Sequence, residues 1–251
     1  MIRQAYAFVR DFDPAPAQPL RVDRHYLLYA SRGALRLDAE ATTWSLPPAR
    51  AALIRAGEPI EVTIPQRTTT ASVLFSPAFV AAPPAALTVV DMSPLCRALI
   101  AECTRWGQDD DGPLDDYATA MFRALAEATW ALAARPSPTH MPRGRSSEVR
   151  RALELTARQL DDDPTFAAIA AEVGLVPRSL ARRFEQELGM TWRAALRRIR
   201  VLRAVELLAD GESSVTQIAM AVGYQSLSAF NAAFRDLIGQ TPTGYRDGFA
   251  P

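Results

Sequence analysis

The sequence predicts an α+β protein of two domains, with short β-strands first and an all-α domain last. Three observations predict it. Up to about Pro77, short runs of β-branched and aromatic residues alternate with Pro, Gly and Asp. From Pro94 onward, apolar residues recur at helical spacing, and one pattern occurs twice between Thr165 and Thr241. With 251 residues, the chain can bury two cores.

The N-terminal strands are expected to form a β-barrel or β-sandwich, because evenly spaced short strands are typical of both. Helices are predicted at Pro94–Trp106 and Leu114–Ala134, which makes a helical hairpin after the strands. Seven strands are predicted, at residues 2–9, 25–30, 34–37, 42–46, 51–54, 60–64 and 69–75.

One apolar stripe of the second hairpin helix, formed by Met121, Leu125, Ala128 and Leu132, has to be buried somewhere. It packs either against a second subunit, giving a homodimer, or inside its own domain, and the sequence leaves both open. A linker follows at residues 136–147, where prolines and a glycine stand among polar residues. The predicted domains are therefore 1–135 and 148–251.

Composition argues against several functions. No apolar run is long enough to cross a membrane and the N-terminus lacks a secretory pattern, so a cytoplasmic location is expected. Cys96 and Cys103 form no CxxC motif and are interpreted as reduced core thiols. Only two histidines occur, His25 and His140, and no nucleophile with a base or phosphate loop is recognisable. We therefore expect no metal, no cofactor and no catalytic residues.

The internal repeat carries the functional prediction. Phe166–Gly174 (FAAIAAEVG) aligns with Val215–Gly223 (VTQIAMAVG) at an offset of 49 residues, and Phe184 aligns with Phe234 at an offset of 50. Each copy reads as helix, turn and helix, at about residues 165–188 and 214–238. Ser214 with Gln217 predicts a capping box. Thr165, Thr191 and Thr241 stand where N-cap residues are expected, the last before Pro242.

In each copy the second helix has one core face and one polar face. Leu180, Phe184 and Leu188 form the first core stripe, and Phe230, Phe234 and Ile238 form the second. The opposite faces carry side chains able to reach base edges and phosphates of double-stranded DNA. These predicted contacts are Arg178, Ser179, Ala181, Arg182 and Gln186 in the first copy, and Gln225, Ser228, Asn231, Ala232 and Arg235 in the second.

Between the copies, Trp192–Ala209 is predicted to form one helix of about 27 Å, long enough to place the two units in successive major grooves. Although the whole chain has a formal net charge of zero, residues 174–203 carry eight arginines against two glutamates. A local basic stripe of this kind is typical of DNA-contacting elements. Within it, Arg197 and Arg198 are predicted to contact phosphates.

At this point the sequence resembles the AraC/XylS family of bacterial regulators, from Arg150 to Arg246. The resemblance implies that Arg178, Ala181 and Arg182 read bases in the first unit, and Ser228, Asn231 and Ala232 in the second. Alanine replaces longer polar side chains at positions 181 and 232, so we expect more discrimination from the first unit. The motif residues are Gly174, Leu180, Arg182, Phe184, Gly189, Arg200, Ala204, Leu207, Leu208, Phe230, Phe234, Gly239, Thr241, Pro242, Tyr245 and Arg246.

The N-terminal strands resemble the cupin-like effector domain of such regulators. His25, Tyr29, Arg36 and Trp44 are candidate lining residues of an effector pocket, since alternate strand residues point into such a barrel. The expected partners are DNA, a second copy of the chain, a small-molecule effector and, for an activator, RNA polymerase, but no membrane. The alternative is an N-terminal domain that binds no ligand and only dimerises or docks protein partners.

Overall fold

The structure is a computed structural model that describes residues 3–39, 42–108, 112–160, 164–210 and 213–247. It divides into two compact units. The first contains residues 1–39 and 44–137, and the second contains residues 40–43 and 138–251. The division at Ser137 and Pro138 lies inside the segment that the sequence predicts to be a linker.

The first unit contains a β-sandwich of two sheets, not a closed barrel. The strands are β1 Ala5–Phe12, β2 Ala15–Leu20, β3 His25–Arg32, β4 Leu35–Ala39, β5 Thr42–Leu46, β6 Arg50–Ile54, β7 Ile60–Ile64, β8 Thr68–Phe75 and β9 Leu87–Asp91. One sheet has the order β1-β8-β3-β6-β9, and each pair of neighbouring strands is antiparallel. The other contains β5, β4, β7 and β2 in that order.

Two of these strands, β2 and β9, were not predicted from the sequence. Strand β2 contains Pro16 and Pro19, which cannot donate to a ladder, and it lies at the edge of its sheet with a register shift between Ala15 and Gln18. Strand β9 lies at an edge of the other sheet, next to β6. Both strands exist because a neighbouring strand pairs with them, which a local sequence pattern does not reveal.

The sandwich has an inner core between its sheets and an outer core against two helices. Leu28 and Leu74 from the first sheet meet Leu37 and Leu46 from the second in the inner core. Helices α1 (Pro94–Cys103) and α2 (Asp116–Leu132) cover the other face of the first sheet. Cys96 and Cys103 are buried there as free thiols, and burial raises the pKa of Cys103 to about 12.

The apolar stripe of α2 is buried within its own unit. Leu125 is fully buried in the outer core, and Met121, Ala128 and Leu132 pack against it. Of the two alternatives that the sequence left open for this stripe, intramolecular packing is the one observed.

The second unit is helical, as predicted. None of the helices in the described part of the chain is long and apolar enough to cross a membrane. The elements of the second unit are β10 His140–Pro142, α3 Ser147–Arg158, α4 Phe166–Glu172, α5 Pro177–Leu188, α6 Trp192–Asp210, α7 Val215–Ala221, α8 Leu227–Ile238 and α9 Pro242–Asp247.

Candidate nucleic-acid interface

The two helix-turn-helix copies are formed by α4 with α5 and by α7 with α8, and N-cap hydrogen bonds fix where the first helix of each copy begins. The Thr165 hydroxyl accepts from the Ala168 N–H at 3.3 Å. Ser214 and Gln217 complete the predicted capping box, with bonds of 3.2 Å and 2.8 Å. Each cap supplies an acceptor to a backbone N–H that has no partner within its helix. The repeat is therefore confirmed as a structural repeat.

Helix α6 connects the copies and belongs to the cores of both. Its first half contributes Trp192 and Leu196 to the core that contains Leu180 and Phe184. Its second half contributes residues such as Val205 to the core that contains Phe230 and Phe234. With 19 residues, α6 is about 28 Å long. Because it packs into both cores, α6 fixes the two copies relative to each other instead of merely spacing them.

The outer face of α5 is exposed as predicted. Arg178, Ala181, Arg182 and Gln186 are exposed, and Ser179 is half-buried. Leu180, Phe184 and Leu188 are buried on the opposite side. Neither Arg178 nor Arg182 forms a side-chain hydrogen bond or ion pair with another described residue. Both guanidinium groups are thus available to an external acceptor.

The corresponding face of α8 is polar but less basic. Ser228, Ala232 and Arg235 are exposed, and Asn231 is half-buried at the margin. Gln225 is also exposed, but it lies in the turn before the N-cap residue Ser226 and not in the helix. Arg235 is the only arginine of α8, while the outer face of α5 has two.

Tertiary structure divides the arginine stripe into exposed arginines and arginines with intramolecular partners. Arg183 pairs with Glu148 at 2.9 Å, and Arg203 pairs with the buried Glu206 at 2.8 Å. Arg200 lies over the Tyr224 ring, 5.7 Å from its centroid. Arg193, at the start of α6, is exposed and forms no side-chain hydrogen bond or ion pair with another described residue. The position of Arg193 adds it to the candidate phosphate contacts, although the sequence patterns did not single it out from the other arginines.

The adjacent residues Arg197 and Arg198 have different surroundings. Arg197 is exposed, and its Nη1 lies 4.0 Å from Asp236 Oδ2. Arg198 is half-buried; its Nε donates to the His140 carbonyl at 2.6 Å and its Nη2 to the Pro138 carbonyl at 2.9 Å. Burial lowers the pKa of Arg198 below its ordinary value. This geometry favours a phosphate contact for Arg197 and a structural role for Arg198.

The structure does not bring the four candidate pocket residues together. His25 and Tyr29 alternate along β3 with Tyr26 and Leu28, which belong to the inner core, and Tyr29 packs against the outer core. Arg36 lies between the inner-core residues Leu35 and Leu37, so it faces away from the interior, and only Trp44 packs against the inner core. The reason is strand alternation, which places successive side chains on opposite faces.

His25 has a structural role of its own. Its side chain is buried, and Nδ1 accepts a hydrogen bond from the Ala56 N–H at 3.1 Å. Burial, and then the charge of Arg55, lower the pKa of His25 below its usual 6.5. A neutral imidazole can accept this hydrogen bond at Nδ1, which fixes the turn after β6. His25 is therefore not available as a lining residue of an inner pocket.

Comparison with known proteins assigns the helical unit. Residues 169–248 match a family model described as a helix-turn-helix domain. The match spans both copies of the repeat and α6, which contributes residues to the cores of both copies. The matched helix-turn-helix domain thus corresponds to the candidate interface.

The names of relatives of the chain also refer to a helix-turn-helix (HTH) domain. The HTH-type transcriptional regulator NimR of Escherichia coli K12 is 26% identical over 221 residues, covering 87% of this chain and 78% of NimR. The HTH-type transcriptional activator RhaS of Escherichia coli SMS-3-5 is 27% identical over 152 residues, which is 61% of this chain and about half, 53%, of RhaS. The structure of ToxT from Vibrio cholerae O395 aligns with 98% of both chains, with 13% identity and a TM-score of 0.43.

Proposed function

We propose that this protein is a sequence-specific DNA-binding transcriptional regulator that inserts α5 and α8 into successive major grooves on one side of double-stranded DNA. The observation that carries the proposal is the pair of exposed faces on two repeated units whose cores share α6. A rigid helix of about 28 Å suits the ~34 Å helical repeat of B-DNA. The proposed activity is binding, and it requires no catalytic group.

Within this function, α5 supplies most of the discrimination between sequences. Arg178 and Arg182 are exposed and suited to bidentate hydrogen bonding with guanine. Alanines at positions 181 and 232 contribute at most apolar contact with a thymine methyl group. Ser228, Asn231 and Gln225 supply polar contacts from the second copy, and Arg197 with Arg193 supplies charge for the phosphates.

Selection from a random duplex library, followed by footprinting of the recovered site, tests this proposal. We expect one protected tract that covers two major-groove segments about one helical turn apart. A protected tract limited to a single groove segment would contradict insertion of both copies. Failure of the full-length chain to enrich any sequence would contradict sequence-specific binding altogether.

Arg182→Ala tests the assignment of base reading to α5. We expect affinity for the selected site to fall by about 1 to 3 kcal/mol, with relaxed preference at one base pair. Arg158→Ala is the matched control, because Arg158 is also exposed but lies on α3. Gel-shift titration at fixed salt measures both variants. Equal affinities of Arg182→Ala and the wild type would show that Arg182 does not contribute to base recognition.

We further propose that the sandwich unit binds a small molecule and thereby regulates DNA binding. In this proposal the protein forms homodimers in the cytoplasm and, if it activates transcription, contacts RNA polymerase. A ligand would act by binding two arrangements of the protein with different affinity. Thermal-shift titration of the full chain with candidate metabolites tests this. A stabilising compound that also changes operator affinity supports an effector, and stabilisation without any change in operator affinity counts against one.

The alternative, a sandwich unit that only dimerises or docks protein partners, is favoured by one observation. Apolar side chains from both sheets fill the inner core, and the buried Tyr26 hydroxyl already pairs with Ser72 Oγ at 2.8 Å. The four residues predicted to line a pocket also lie on different faces. Sedimentation of the full chain across a concentration series, with and without operator DNA, tests this alternative; a monomer under both conditions would contradict dimerisation.

A further inference from the structure

The chain that enters the helical unit is bound to the recognition helix of the first copy. We call residues 138–148 the docked segment. The carboxylate of Glu187, in the last turn of α5, accepts three hydrogen bonds from it. Oε2 accepts from the Arg145 N–H at 2.6 Å and the Ser146 N–H at 2.8 Å, while Oε1 accepts from the Ser146 hydroxyl at 2.6 Å.

These bonds involve the start of a helix. Ser146 is the N-cap residue of α3, and its hydroxyl also accepts from the Val149 N–H at 3.3 Å. Backbone N–H groups at a helix N-terminus carry partial positive charge and favour a nearby carboxylate. Burial raises the pKa of Glu187, but the hydrogen bonds from Ser146 and Arg145 together lower it by more, so the pKa lies below its ordinary value. Glu187 is therefore charged at neutral pH and well matched to its donors.

Three further contacts hold the docked segment in place. Arg183, one turn before Glu187 on α5, pairs with Glu148 in the first turn of α3 at 2.9 Å. Arg198 of α6 binds the carbonyls of Pro138 and His140 at the other end of the segment. Met141 is buried in the core that also contains Leu180 and Phe184 of α5. The segment thus contacts α6 near its start and α5 near its end.

We infer that Glu187 is a positioning residue for DNA recognition, which fixes the orientation of α5 by binding the start of α3. The inference rests on the proposed DNA-binding function. Arg178 and Arg182 lie on the same helix as Glu187, so release of its C-terminal turn would let the base-reading side chains shift relative to the second copy. Displacements of about 1 Å are enough to weaken geometrically demanding contacts. The docked segment then contributes to DNA recognition and does not only connect the two units.

Glu187→Ala and Glu187→Gln, compared with Glu185→Ala in the full-length chain, test the inference. Glu185 is exposed on the same helix, and its side chain forms no hydrogen bond or ion pair with another described residue, so its variant removes the same charge without releasing the segment. We expect Glu187→Ala to lose on the order of tenfold in affinity for the selected site, while its affinity for unrelated DNA stays at least as high as that of the wild type. The amide of Glu187→Gln can still accept from the two N–H groups, so it should recover most of the loss. Glu185→Ala should bind at least as tightly as the wild type, because it removes a negative charge near DNA.

Limited trypsin digestion gives a readout of docking that is independent of DNA. Cleavage after Arg145 should be slow in the wild type and in Glu185→Ala, and several-fold faster in Glu187→Ala. Faster cleavage without loss of the specific-to-nonspecific affinity ratio would overturn the inference, as would equal loss for specific and unrelated DNA. If the wild type itself selects no sequence, the proposed function fails. If the wild type selects a site and Glu187→Ala retains it fully, only the inference fails.

Discussion

Gly174 and Gly223, the turn glycines of the two copies, are equivalent in sequence but differ in their surroundings, and substitution by alanine should separate them. Both have positive φ, +71° for Gly174 and +84° for Gly223. A Cβ atom on Gly174 would meet nothing within 4 Å. A Cβ atom on Gly223 would lie 2.3 Å from the Leu160 carbonyl oxygen and 2.7 Å from Arg200 Nη2. Arg200 can move, but a backbone carbonyl that follows α3 cannot move without disturbing the packing around it.

The expected magnitudes follow from these distances. Positive φ costs alanine about 1 to 2 kcal/mol, and the reduced freedom of the unfolded chain returns about 0.4 to 1 kcal/mol. Gly174→Ala should therefore lower the free energy of unfolding by about 1 kcal/mol. Gly223→Ala adds the cost of overpacking, about 1 to 3 kcal/mol, and should lower it by about 2 to 4 kcal/mol.

Urea unfolding of the full-length chain, followed by circular dichroism at 222 nm, measures both variants. Because each kcal/mol shifts the melting temperature of a domain of about 100 residues by about 4 to 8 °C, thermal melting gives a second measure. Equal destabilisation of the two variants would refute the reasoning, because only the close approach distinguishes them. A larger effect at Gly174 would contradict the packing of the Gly223 turn against the end of α3.

Two further predictions concern α6. Arg197→Ala should lower affinity for all DNA sequences, and the slope of log affinity against log salt concentration should fall by the amount expected for about one phosphate contact. Arg198→Ala should instead lower the free energy of unfolding by about 1 to 3 kcal/mol and leave that slope unchanged. Gel shifts at several salt concentrations and urea unfolding distinguish them, and a reduced salt slope in Arg198→Ala would contradict its structural role. Trp192→Phe should cost about 1 to 3 kcal/mol in urea unfolding, because the buried Trp192 Nε1 donates to Thr156 Oγ1 at 3.0 Å; an unchanged midpoint would contradict that bond.

Patterns that depend on neighbouring residues were predictable. The capping box of Ser214 and Gln217, the cap at Thr165 and the buried stripe of Leu180, Phe184 and Leu188 are all as predicted. The exposed face of α5 is predictable from the same periodicity, since it lies opposite that stripe. The repeat then places an equivalent pair of helices in the second copy.

Features that depend on distant residues were not predictable in the same way. The sequence shows eight arginines between residues 174 and 203, but it does not show that Arg183 pairs with Glu148 or that Arg198 holds the carbonyls of Pro138 and His140. The proline-containing segment has the composition of a linker, and nothing local indicates that Glu187 binds part of it. The four predicted pocket residues lie on different faces for a related reason, because strand composition does not say which alternate face turns inward.

The sequence by itself determined the two helix-turn-helix units, their caps and their outward faces, because periodicity and capping act over a few residues. The tertiary structure decided which arginines stay exposed, where the α2 stripe is buried, how α6 joins two cores, and that residues 138–148 attach to α5. Each of these depends on contacts between residues far apart in the chain. Such contacts are selected by packing and by the need to pair buried polar groups, and no short stretch of sequence carries that information.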